Sequence, residues 1–145
     1  MSRPKTIGFA IVDRLEEIEE LKGKVFYFQA RTVEGEFSKR MGKARGRAIV
    51  VRLVKASNLT PDKKAARFGG TYSVSLYGSA LLTPKDAKDA DALMQEIADK
   101  LQGWWPESVP SNGLMFCGCG DITFPDDPDF DLAVMPVTAP FQPAS

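Results

Sequence analysis

Near the N-terminus the apolar positions recur at Ile7, Ile11, Leu15, Ile18 and Leu21, close to the i, i+4, i+8 spacing of one buried helical stripe. Thr6 stands where a cap starts such a helix, and Gly23 where a left-handed residue ends it. Glu16, Glu17, Glu19 and Glu20 fall mostly off the stripe, which predicts a solvated acidic face. The run from Val25 to Val33 is rich in aromatic and β-branched residues and predicts a strand. Ala48 to Val54 is almost continuously apolar, the pattern of a central strand covered on both faces. Tyr72, Val74 and Leu76 alternate with Ser73, Ser75 and Tyr77, giving a strand with one dry face and one polar face. Between these runs, residues 34–46 predict a basic loop or arm and Asn58 to Gly70 a second polar loop.

A second helix is signalled by Thr83-Pro84-Lys85-Asp86, which combines a cap, a proline at the first helical position and an acid in the first turn. Its buried side is Ala87, Ala90, Leu93, Met94, Ile97, Ala98 and Leu101. It runs into Leu101-Gln102-Gly103-Trp104-Trp105-Pro106, a rigid stop. Glycine supplies the left-handed residue, the tryptophans pin the exit, and proline forbids resumption. Leu114 to Cys117 and Asp121 to Phe124 read as short strand pieces, and Phe130 to Val137 as a last strand. Residues 138–145 read as an extended, proline-containing tail. The pattern predicts one α+β domain over 1–145: a mixed or antiparallel sheet with two amphipathic helices packed against it.

Composition agrees with one core: 145 residues, 43% hydrophobic and 26% charged, suffice for one domain and are too few for two. No run approaches the roughly 18 apolar residues of a membrane span, and the N-terminus lacks a signal peptide's apolar core. The expectation is no membrane partner and assembly in the cytoplasm. The zero net charge hides a segregation. Between Glu36 and Arg67 ten basic residues face two acidic ones, whereas no basic residue follows Lys100 and six acidic ones do. Such opposition is either neutralised within the monomer or joins the edges of neighbouring subunits in a head-to-tail ring. The candidate interface residues are Lys39, Arg40, Lys43, Arg45 and Arg47 on the basic side, and Asp126, Asp127 and Asp129 on the acidic side.

Candidate chemistry is sparse. Histidine is absent, which removes the commonest general base and a usual metal ligand. Cys117 and Cys119 lack the second ligand pair that a zinc site requires. Asp126-Asp127-Pro128-Asp129 lacks the glycine and distal glutamate of a calcium loop, and Gly69-Gly70 lacks the lysine and spacing of a phosphate loop. No catalytic, metal or cofactor site is expected, and the chain is not read as an enzyme. Lys39 to Arg47, with Phe37 or Phe68 available for stacking, suits a non-specific contact with DNA or an acidic protein. The neutral overall charge argues against a dedicated nucleic-acid binder.

The order of elements and the stop at Leu101, Gly103, Trp104 and Pro106 resemble the tail terminator, or tail completion, family of Mu-like long-tailed bacteriophages. The resemblance implies a virion structural protein forming a homo-oligomeric ring, usually a hexamer, at the head-proximal end of the tail. That ring caps the tail tube, ends its polymerisation and presents a surface to the head–tail connector. Expected partners are therefore further copies of the chain, the tail tube protein and a connector or neck protein. The alternatives are a head completion or neck protein, and a small nucleic-acid-binding regulator using the 39–47 arm.

Overall fold

Pro4 is compatible with the first turn of a helix. In the computed structural model, which describes residues 3–28, 46–79, 88–109, 115–127 and 131–140, α1 spans Arg3–Leu15. A proline in the first turn forfeits no intrahelical bond, so the helix starts ahead of Thr6, which lies inside it and not at its cap. The Tyr72 hydroxyl donates to the Pro4 carbonyl at 2.6 Å and ties this turn to the sheet. Ile7, Ile11 and Leu15 are buried as the stripe requires. From Leu15 the apolar spacing shortens to three, the period of a 3-10 turn. Ile18 N–H accordingly donates to Leu15 O at 3.1 Å and Leu21 N–H to Ile18 O at 2.9 Å. One helix running to Gly23 is thus replaced by α1 and a short 3-10 turn, Glu19–Leu21.

The sheet has five strands in the order β1-β2-β3-β5-β4. β1 (Val25–Tyr27) lies parallel to β2 (Arg47–Asn58), and β2 pairs antiparallel with β3 (Phe68–Gly78). β5 (Asp131–Pro140) pairs antiparallel with β3 on one side and with β4 (Gly118–Cys119) on the other. The register aligns Ile49, Leu76 and Ala133, then Val51, Val74 and Met135, on one face. Those side chains share a core with Ile7, Ile11 and Leu15 of α1 and with Leu93, Met94, Ile97 and Leu101 of α2 (Ala90–Leu101). Both helices therefore cover the same face, and the α+β class with a mixed sheet and two helices holds. The opposite face carries Arg52, Ser73, Ser75, Tyr77, Val134 and Pro136, the serines sharing a hydrogen bond at 3.1 Å.

Several boundaries differ from the sequence reading. The centre of the sheet is β3; β2 sits beside it, flanked by β1 only at Ile49–Val51. Past a bulge between Leu53 and Lys55, β2 and β3 continue as an exposed hairpin in which Asn58 pairs with Phe68, Ser57 with Gly69 and Ala56 with Gly70. The polar loop thereby shrinks to residues 59–67. α2 begins only at Ala90, with Lys88 and Asp89 non-helical; the Thr83-Pro84-Lys85-Asp86 start and Ala87 lie outside the described residues. Met115 to Cys117 form no strand, and of Asp121 to Phe124 only Thr123 bridges, to Val134. Residues 29–33 of the first predicted strand and 34–45 of the arm also lie outside the description.

β5 runs to Pro140, so residues 138–140 of the predicted tail are strand, and 141–145 are outside the description. It contains a proline because of where that residue faces. Pro136 O accepts from Gly120 N–H at 2.8 Å, on the side away from β3. A strand residue's nitrogen and oxygen point the same way, so the missing N–H faces the sheet edge and no bond to β3 is lost.

Candidate assembly surfaces

The stop after α2 is a clamp built mainly from backbone. Gly103 has φ +77°, a conformation that a side chain disfavours. Its N–H donates to Cys117 O at 2.9 Å, and Cys117 N–H returns a bond to Trp104 O at 2.8 Å, so the helix end and the approach to β4 are stitched together. The Gln102 side chain adds a bond, its Oε1 accepting from Cys119 N–H at 2.8 Å. Leu101 and Pro106 are buried, and Trp105 Nε1 donates to Val109 O at 2.9 Å. Arg14 of α1 joins the same clamp: its Nε donates to Lys100 O at 3.0 Å and its guanidinium lies 5.6 Å from the centre of the half-buried Trp104 ring. All four motif residues serve the interior of the fold.

The two thiols are free and packed inward. Burial, reinforced by the neighbouring Cys119, pushes the Cys117 thiol up to about 12. Cys119 is raised as well, by burial and then by Asp99, and its Sγ contacts Ala98 O at 3.7 Å. Both are thereby held as neutral thiols, poor nucleophiles and poor metal ligands. Among the described residues no group of three or more Cys, Asp or Glu side chains gathers to hold a metal. The glycines between and after the cysteines are explained by contact: a Cβ on Gly120 would lie 2.6 Å from the Pro136 ring.

Of the predicted basic residues, Lys39, Arg40, Lys43 and Arg45 lie outside the described residues. Arg47 is described, and it is engaged: it pairs with Glu20 at 3.2 Å with its side chain only 11% exposed. Glu20 also accepts from Lys88 N–H at 3.2 Å, so this charge anchors the 3-10 turn to β2.

Basic character is instead displayed on the β2–β3 hairpin, where Arg52, Lys55, Lys63, Lys64 and Arg67 are exposed and Asp62 is the sole acid. Thr60 shapes its tip. The Thr60 hydroxyl donates to Ala65 O at 2.9 Å and accepts from Arg67 N–H at 3.0 Å, while Thr60 N–H donates to Asn58 Oδ1 at 3.0 Å. Leu59 N–H closes the loop onto Arg67 O at 2.6 Å. On the face opposite α1 and α2, helix-free among the described residues, lies at this end a groove of about 370 Å³ lined by Ser57, Leu59, Gly69, Thr71, Phe116 and Pro140. Leu59 and Phe116 are more than half exposed, at 57% and 52%. Position 55 pairs with Thr71, which places Lys55 on the groove's own face.

The acidic side lies at the other end of β5. Asp126, Asp127 and Asp131 surround a notch of about 300 Å³ with Ala90, Phe124 and Pro125; Asp129 is outside the described residues. Phe124 stands 54% exposed beside these carboxylates. The Tyr77 phenol is raised by burial and then by Asp127, with Arg52 opposing, so acid and base both reach the helix-free face. Sequence reasoning found the acidic residues but not the apolar partners Leu59, Phe116 and Phe124. The available signal was a large apolar residue isolated among polar ones in each loop.

No family model matches the chain, and no curated protein matches it.

Proposed function

We propose that this chain is a virion structural protein, a tail terminator that assembles as a ring on the head-proximal end of a long phage tail. Two things support the reading: the element order closed by Leu101, Gly103, Trp104 and Pro106, and a surface whose basic and acidic apolar patches lie at opposite ends of one strand. The second carries the assembly part of it. Complementary patches at opposite ends suit head-to-tail contacts between copies, which close into a ring where the rotation between neighbours permits it.

The mechanism is binding and geometry. A ring seated on the last tube layer occupies the growing end and offers its other face to the connector. Many weak, identical contacts then act together through effective concentration.

Deletion of the chain from its phage tests the reading by electron microscopy of the particles. The expected product is free heads with overlong or unjoined tails. Normal tails attached to full heads would refute it, and unjoined tails of correct length would favour a neck protein. The exposed Lys55, Lys63, Lys64 and Arg67 favour one other reading, a nucleic-acid contact. It predicts affinity that falls steeply with salt.

A further inference from the structure

The groove and the acidic loop have matched properties and stand at opposite ends of β5. The groove beside the hairpin is open and mainly apolar, with Lys55 on its face and Lys63, Lys64 and Arg67 exposed in the adjoining tip. The loop at residues 121–127 presents one large exposed aromatic, Phe124, which shares a notch with the exposed Asp126 and Asp131. The loop lies beside Leu132 and the groove beside Pro140, so the span of β5 separates them by roughly 25 Å at the usual rise of a strand. A rigid sheet prevents the two from meeting within one copy.

We propose that Phe124 of one copy seats in the groove of a second copy, lined by Leu59, Gly69, Phe116 and Pro140, while Asp126 and Asp131 face Lys55, Lys63, Lys64 and Arg67. The contact is heterologous: each subunit uses its aromatic loop toward one neighbour and its hairpin groove toward the other. An aromatic anchor in an apolar pocket supplies most of the affinity, and the charges around it select the partner's orientation. The hydrogen-bonded tip at Thr60 keeps the hairpin preformed, which lowers the ordering cost of docking. The inference rests on the ring reading and names the surface that makes the ring.

Four full-length variants test it by native mass spectrometry and sedimentation, alone and with purified tail tubes. Phe124→Ala removes an exposed ring and should weaken self-association at least about tenfold without changing the melting temperature. Asp126→Lys with Asp131→Lys, and separately Lys55→Glu with Lys63→Glu, should each weaken it by a similar factor. A chain carrying all four charge changes should recover most of the wild-type affinity, and an equimolar mixture of the two double variants should assemble although neither does alone. Assembly undisturbed by Phe124→Ala and by both reversals overturns the contact but leaves the ring reading standing. A wild type that stays monomeric, with or without tubes, overturns the contact as well. If that monomer binds duplex DNA, and Lys55→Glu with Lys63→Glu abolishes binding, the groove face belongs to nucleic acid. Particle morphology after deletion separately decides the terminator role.

Discussion

Replacing Trp104 by alanine removes the ring that joins the end of α2 to Arg14 of α1. About half of the roughly 200 Å² that a tryptophan can bury is at stake, since the ring is half-covered by the core. At about 25 cal/mol per Å² this amounts to ~2.5 kcal/mol. The stacked guanidinium adds about 0.5–1 kcal/mol for a partly exposed cation–π pair. The expected loss is therefore about 3 kcal/mol, with the fold retained because the backbone bonds between residues 103–104 and Cys117 do not involve the ring. Urea unfolding followed by far-ultraviolet circular dichroism measures it without relying on tryptophan emission. Arg14→Met, which keeps an aliphatic stem, should cost about 1–2 kcal/mol through the lost bond to Lys100 O and the lost stacking. The double variant should then show a coupling of about 0.5–1 kcal/mol. A Trp104→Ala loss below about 1 kcal/mol, or strict additivity of the two changes, would refute the account of the clamp.

Thr60→Val removes a hydroxyl that both donates and accepts at the hairpin tip, and should destabilise by about 1–2 kcal/mol at most while sharply raising amide exchange in residues 59–67. Unchanged exchange would mean that the loop is held by something else. Gly120→Val places a branched side chain against the Pro136 ring and should cost about 1–3 kcal/mol in thermal or urea melts. Cys117, raised to about 12 from an ordinary 9.0, contributes stability that is intact below about pH 9 and is lost as pH rises through its folded value. Cys117→Ala should flatten that alkaline decline, and in the wild type both thiols should react slowly with a disulfide reagent at neutral pH until denaturant is added.

Legibility in the sequence followed the range of the forces involved. The α1 stripe, the alternation of Tyr72, Val74 and Leu76, and the stop at Gly103 are each decided within a few residues, and all three appear as expected. The errors arose where a local signal competed with another. Pro4 outranked Thr6 as the helix start, and the three-residue spacing Leu15–Ile18–Leu21 was absorbed into a four-residue stripe. Residues 138–140 read as tail because Pro140 is a poor strand former locally, and its tolerance in β5 depends on pairing with Gly69, which is distant in sequence. Asn58 to Gly70 read as loop because polar hairpin strands bury little and so leave no periodic trace. For the assembly surface, charge segregation was visible in the chain, but not which charges remain available. Arg47 is committed to Glu20 within the subunit, whereas the hairpin cations stay exposed.

The prolines of β5 bear on a hazard that any exposed sheet carries. An edge strand with a full row of donors invites an uncontrolled neighbour, and proteins that must associate in one geometry have to suppress the others. Pro136 turns its donorless nitrogen toward that edge, and Pro140, four residues on and therefore on the same side, does likewise. Along this margin a foreign strand finds gaps in its ladder at regular intervals. The chain itself takes up this margin, with Gly118–Cys119 pairing at Val137 and Thr138, Gly120 bonding to Pro136 and Thr123 bridging to Val134. The donor gaps at Pro136 and Pro140 therefore disfavour uncontrolled strand addition on the β5 side of the sheet.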